Sequence, residues 1–152
     1  MRIVIAAVGK LKPGPHRDLA AHYAGRLRWP LTIREVEERR KLPPAALKAR
    51  EAALLLDAIP NGATVVALDE RGAALSSTDF AKRLARWRDA SVADLAFVIG
   101  GADGLADTVR RQAAFVLSLG PATWPHFLAR GMLLEQLYRA ETLIAGHPYH
   151  RE

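Results

Sequence analysis

Four stretches of this chain carry residue types that could do chemistry. The last six residues, HPYHRE (147–152), crowd one aromatic ring, two imidazoles and a guanidinium together. Terminal residues ordinarily fray, because few contacts offset the entropy of ordering them. So dense a set of stacking and hydrogen-bonding groups marks the tail as a candidate site. A metal is one conceivable occupant, since His147 and His150 stand three apart. Such a site needs carboxylates or further imidazoles at matching spacing; none is visible, so no metal is expected. His16 and His22 fall on the first predicted helix without carboxylate partners and read as surface residues. His126 begins the last helix, where the dipole disfavours an imidazolium.

The other three stretches are loops. IGGADGL (99–105) is glycine-rich and leads into a helix, which invites a dinucleotide reading. The spacing of Gly100, Gly101 and Gly104 is not G-x-G-x-x-G, and the segment follows a fourth strand rather than a first. No phosphate-binding Walker loop occurs. Two readings stay open: the glycines merely turn the chain, or Gly101 lets a flat ligand approach the backbone. SLGPATWPH (118–126) is stiffened by Gly120, Pro121 and Pro125, so its amides and carbonyls are pre-organised, as recognition of a purine edge requires. Trp124 either walls an apolar pocket or is a core residue under the sheet. LDERG (68–72) is the third loop. On the last helix, Glu135 and Arg139 make an i,i+4 pair that, if exposed, contributes about 0.3–0.5 kcal/mol.

These loops need strands to position them. β-branched and aliphatic runs at 2–8, 31–37, 63–69, 94–100 and 113–120 predict five strands. Helical spacing predicts helices over 15–28, from the Pro43-Pro44 pair to about 58, from Ser76 or Ser77 to about 89, over 104–112, and from Pro125 or His126 to 144. The fourth strand is apolar on both faces, as a central parallel strand would be. Strict alternation predicts an α/β fold, an open and mostly parallel sheet with helices on both faces, as one domain over residues 1–152. In such sheets ligands bind beyond the carboxyl ends of the strands, where all three loops lie.

Composition narrows the classes. With 22 basic and 16 acidic residues the net charge is +6 and the pI about 10.2, which favours polyanionic partners without establishing one. The absence of cysteine rules out disulfides and thiolate metal sites, and fits a cytoplasmic protein. No apolar run has the length of a membrane span, and the N-terminal apolar stretch lacks a secretory cleavage pattern.

The motifs AVGKLK (7–12), VALD (66–69), FVIGGADGL (97–105), WPH (124–126), LLEQLYRA (133–140) and HPYHRE occur together and in order over essentially the whole chain. In that combination the sequence resembles the RlmH (YbeA-like) family of small SPOUT-class ribosomal RNA methyltransferases. The resemblance implies a C-terminal trefoil knot, a homodimer whose active site is completed across the interface, and S-adenosylmethionine as methyl donor. It places the donor on Leu68, Gly101 and the run Gly120, Pro121, Ala122, Thr123, Trp124 and Pro125. It further implies methyl transfer to N3 of pseudouridine-1915 in 23S ribosomal RNA, within free large subunits or whole 70S ribosomes. Arg139, Tyr149, His150 and Arg151 then form the substrate-side catalytic group, with His150 the candidate base. Glu135 and Arg130 become either RNA-facing neighbours of that group or a structural ion pair. Two rivals are an NAD-dependent oxidoreductase, disfavoured by the missing fingerprint, and a non-catalytic RNA-binding or ribosome-assembly protein.

Overall fold

In the computed structural model, which describes residues 1–150, strands and helices alternate as follows. They are β1 (Arg2–Val8), α1 (Pro15–Ala24), β2 (Leu31–Val36), α2 (Pro44–Asp57), β3 (Thr64–Ala74), α3 (Ser77–Asp89), β4 (Asp94–Ile99), α4 (Asp107–Gln112), β5 (Phe115–Ser118) and α5 (His126–Ala145). The strands form one sheet in the order β2-β1-β4-β3-β5, and every pairing is parallel. β4 is central and buried on both faces, as its unbroken apolar run demanded.

Helices cover both faces. Ile3, Ile5, Phe97 and Leu117 point to one side, where they meet Phe80 and Leu84 of α3 and Leu133, Leu134 and Leu137 of α5. Ala6, Val8, Ala67 and Val98 point to the other, against Ala52 and Leu55 of α2 and Val109 of α4. The three α5 leucines are fully buried, each contributing roughly 1.5–3 kcal/mol relative to exposure. α3 starts where its cap predicts, with Asp79 N–H donating to Ser76 Oγ at 3.1 Å.

Three boundaries differ most from the sequence expectation, and β5 is two residues shorter at each end. α1 stops at Ala24, four residues early, because Gly25 is its C-cap and Arg26 and Leu27 continue in a turn. α4 begins at Asp107 rather than 104, since Gly101 and Gly104 bridge each other and Ala106 is extended. β3 does not end at Asp69. It pairs with β5 up to Leu68, bulges, and pairs again from Ala73. At Gly72 any Cβ would sit 2.5 Å from the Val116 carbonyl oxygen, so only glycine lets the bulge lie against β5.

Candidate functional site

The bulge after Leu68, the glycine loop after β4 and the proline-braced loop after β5 close round a pocket of about 280 Å³. Parallel strand order puts these loops side by side at the carboxyl edge, although they are distant in sequence. Leu68, Gly101, Gly120, Ala122, Thr123 and Trp124 all line it. Pro121 and Pro125 set the loop's course without lining the pocket; Pro125 is the extended residue that caps α5. Trp124 is not a core residue under the sheet: it is 43 % exposed, and its indole N–H donates to the Leu119 carbonyl at 3.2 Å.

Cross-links hold the loops in place. Asp69 accepts from the Arg71 backbone N–H at 2.9 Å, from Arg71 Nε at 3.0 Å and from Arg110 Nη1 at 2.9 Å. Arg110 Nη1 also donates to the Leu105 carbonyl at 2.9 Å, so one guanidinium ties the bulge to the glycine loop. Burial opposes ionisation of Asp69, but the hydrogen bonds from Arg71 and Arg110 outweigh it and hold the carboxyl at about 2. Thr123 Oγ1 donates to Glu70 Oε2 at 3.2 Å, joining the third loop to the first. Gly101 is pressed against α2 and β1, where a Cβ would lie 2.9 Å from Glu51 Oε2 and 3.0 Å from Val8 Cγ1. Burial, and then the charge of Asp103, raise the Glu51 carboxyl above the ordinary carboxylate range.

The pocket offers backbone amides, apolar walls from Leu68, Leu105 and Trp124, and a rim of Asp69, Glu70, Arg71 and Asp103 that is acidic on balance. That combination suits a flat heteroaromatic ring joined to a cationic group. His126 also lines it, a residue not assigned to the site from sequence. Burial, with Arg130 adding to it, lowers its pKa, so the neutral imidazole faces the pocket. The helix dipole acts in the same direction, but desolvation is the larger cause. The WPH run at the helix start was the available signal.

The tail group assembles elsewhere. Arg139 Nε donates to Glu135 Oε1 at 3.0 Å, and the Tyr149 hydroxyl donates to the same oxygen at 3.1 Å. The Tyr149 ring lies 4.6 Å from that of Tyr138, with the Arg139 guanidinium 5.0 Å above it. Burial first, then the Tyr23 and Glu135 side chains, raise the Tyr149 pKa, so its phenol stays protonated and is a donor. Gly146, in the left-handed region at φ 71°, reverses the chain, and His147 N–H donates to the Thr142 carbonyl at 2.9 Å. Tyr149 is thereby laid back on α5. Among the described residues neither ring nitrogen of His150 has a hydrogen-bond partner; Arg151 lies outside the described residues.

Arg130 does not face outward. It is 1 % exposed, donating to Glu35 Oε2 at 2.6 Å and to the Gly9 carbonyl at 3.0 Å, so the structural ion pair is the correct alternative. His126 and Arg139 stand thirteen residues apart on α5, or about 20 Å at the helical rise. That is farther than a side chain reaches, so Arg139 does not meet His126 within one chain. A second groove of about 560 Å³ lies between them, touching Leu119 and Gly120 at one end and Glu135 at the other.

Among the described residues no helix is long and apolar enough to cross a membrane, and no three His, Asp or Glu residues cluster as metal ligands would. The family described as "Predicted SPOUT methyltransferase" matches residues 1–150. A protein of Rhodospirillum centenum named ribosomal RNA large subunit methyltransferase H is 61 % identical over 151 residues, covering 99 % of both chains. One of the same name from Paramagnetospirillum magneticum is 56 % identical over equal coverage. Among solved structures, a probable methylase family protein from Haemophilus influenzae superimposes at a TM-score of 0.62 and 14 % identity, over 99 % of this chain and 70 % of that one. The SpoU methyltransferase AviRb from Streptomyces viridochromogenes, solved with AdoMet, superimposes at 0.50 and 15 % identity, over 92 % of this chain and 58 % of that one.

Proposed function

The chain belongs to the SPOUT methyltransferase family, and from that premise we propose that it methylates N3 of a pseudouridine in 23S ribosomal RNA, using S-adenosylmethionine. The observation that carries this reading is the convergence of Leu68, Gly101, Gly120, Ala122, Thr123 and Trp124 on one pocket. Relatives named for large-subunit ribosomal RNA methylation, one of them 61 % identical, support the substrate. S-adenosylmethionine supplies a methyl group on a sulfonium, already activated for displacement. The pocket fits it: glycine backbone and loop amides for adenine, Leu68 and Trp124 as walls, and an acidic rim for its cationic groups.

On the substrate side the chain must bind the base, align N3 and relieve it of its proton. Arg139, its charge steadied by Glu135, stabilises the negative charge that develops on the uracil ring as N3–H is lost. Tyr149, a protonated phenol oriented by Glu135, offers a donor and a flat face to the base. His150 accepts the proton, and Arg151 holds phosphate.

The homodimer is part of the proposal. With the pocket and Arg139 at opposite ends of α5, about 20 Å apart, the tail of one copy completes the pocket of another. The threaded C-terminal segment belongs to it too; the interruption of β3–β5 pairing between Leu68 and Ala73 leaves the first loop standing out from the sheet edge. The protein acts in the cytoplasm, as a single domain, on ribosomes.

The test is methyl transfer. Ribosomes lacking the modification, incubated with the purified protein and radiolabelled S-adenosylmethionine, should gain one methyl on 23S RNA, mapped to N3 of a pseudouridine by mass spectrometry. Running 70S particles and free large subunits in parallel identifies the preferred form. If neither gains label, the activity is not this one and a binding module is favoured. Tight NAD binding without S-adenosylmethionine binding in calorimetry would sink the pocket assignment.

A further inference from the structure

The carboxyl edge of the sheet has two halves of opposite charge. Around the pocket, at the ends of β3, β4 and β5, it carries Asp69, Glu70, Arg71 and Asp103; Asp69 is paired with Arg71 and Arg110, and Glu70 and Asp103 leave that half acidic on balance. At the ends of β1 and β2 it carries Lys10, Lys12, Arg39, Arg40 and Lys41, all exposed. Of the three carboxylates there, Glu37 is exposed while Glu35 and Glu38 are engaged. Glu38 accepts from Arg40 and from Arg50, each at 2.9 Å, and Glu35 accepts from the Leu11 N–H at 2.8 Å and from buried Arg130 at 2.6 Å. Among the described residues Lys10, Lys12, Arg39 and Lys41 have no ion-pair partner within 4.0 Å.

This basic half is held rigidly beside the pocket. Gly9 N–H donates to the Val36 carbonyl at 2.8 Å, locking the two strand ends together, and Arg130 holds the Gly9 carbonyl. Val8 lies against Gly101, and the His126 and Phe127 rings lie against Gly9. From the glycine loop of β4 across β1 to β2 is two strand spacings, about 10 Å. The other class of partner, a protein, anchors itself on buried aromatic and aliphatic side chains. Trp124 is the one exposed large hydrophobic among the described residues, and it stands in the pocket rather than on this edge.

We propose that Lys10, Lys12, Arg39 and Lys41 form the docking surface for the ribose-phosphate backbone of the RNA that carries the target base. This rests on the ribosomal RNA methyltransferase reading and adds the direction from which the substrate approaches. A polyanion is repelled by the acidic rim and attracted by the adjoining cations, so the backbone lies along the β1–β2 edge while the base turns into the pocket. Such contacts set position and orientation without reading sequence.

The experiment compares the wild type with K10A/K12A/R39A/K41A, leaving Arg40 in place because it holds Glu38. The control is R86A/R88A, two exposed cations at the end of α3, on the opposite edge of the sheet. Ribosome binding is followed across a salt series, with methyl-transfer kinetics and S-adenosylmethionine calorimetry alongside. Each cation withdrawn from a phosphate lowers the log–log salt slope by about 0.7 on a single strand to about 0.9 on a duplex, so the quadruple variant should lose about 3 to 3.6 in slope and raise KM for ribosomes at least about tenfold. It should keep kcat at saturation and cofactor affinity, and the control should match the wild type. A quadruple variant with wild-type slope and KM overturns the proposal, as does an equal loss in the control. A wild type that binds ribosomes but transfers no methyl refutes the catalytic reading instead, and the slope still decides the docking surface.

Discussion

The two ends of α5 are built on opposite plans. At the His126 end, three loops are pinned to one another by the Asp69–Arg110–Leu105 link and by Thr123–Glu70, and they surround the pocket with backbone, apolar walls and a charged rim. At the Arg139 end, a single carboxylate, Glu135, orients a guanidinium and a phenol, and their support comes from the same helix, its own tail and Tyr23 of α1. The first plan suits a small ligand of constant shape, because rigid backbone donors lose no entropy on binding. The second suits a large polyanionic substrate, where charge and stacking matter more than fit. About 20 Å of helix separates them, and on the proposed function each end needs the other.

The most severe break is at the tail end. Truncation after Gly146 should lower methyl transfer by at least about a thousandfold, as removal of several groups that stabilise a transition state does, while S-adenosylmethionine affinity stays within about threefold. Full turnover in the truncated protein would show the tail to be dispensable. Mixing that truncation with a pocket-blocked G101W chain sharpens the point: if the tail acts in trans, hybrid dimers regain activity that neither parent has, and if it acts in cis the mixture stays silent.

Breaking the pocket end should be milder. R110M removes the link between bulge and glycine loop and leaves Asp69 with Arg71 alone. Cofactor affinity should fall about tenfold to thirtyfold in calorimetry, near 1.4–2 kcal/mol, with the pH profile of kcat unmoved. W124A, which removes one pocket wall, should cost less, about fivefold. The smallest effect is on pH dependence of stability. His126 binds a proton less readily folded than unfolded, so the unfolded chain holds more protons near its ordinary pKa of about 6.5. Its contribution is full above that value and is lost as pH falls below it. H126Q should therefore flatten the decline in Tm between about pH 6.5 and 5.

Much of the pocket was legible because its requirements are local. A close approach needs glycine, a stiff loop needs proline, and both announce themselves by type, at Gly101 and at Pro121 and Pro125. What was missed depends on partners far away in the chain. Asp69 and Arg110 are 41 residues apart, and nothing near either one signals the other. Whether Arg130 faces RNA or makes a structural ion pair stays open in the sequence, because its partners Glu35 and Gly9 are reached only through the fold. The continuation of β3 past Asp69 was illegible for the same reason, since β5 alone supplies its partner.

By itself, the sequence determined the order of strands and helices, the central place of β4, the three loops that bear the pocket and the chemistry of the tail. Each follows from periodicity, capping and conformational preference, which are properties of neighbouring residues. Tertiary structure alone decided which loops meet, which charges are buried and paired, and that burial adds to the helix dipole in lowering the His126 pKa. Those outcomes arise from desolvation and from contacts between residues distant in the chain, which exist only once the sheet has assembled.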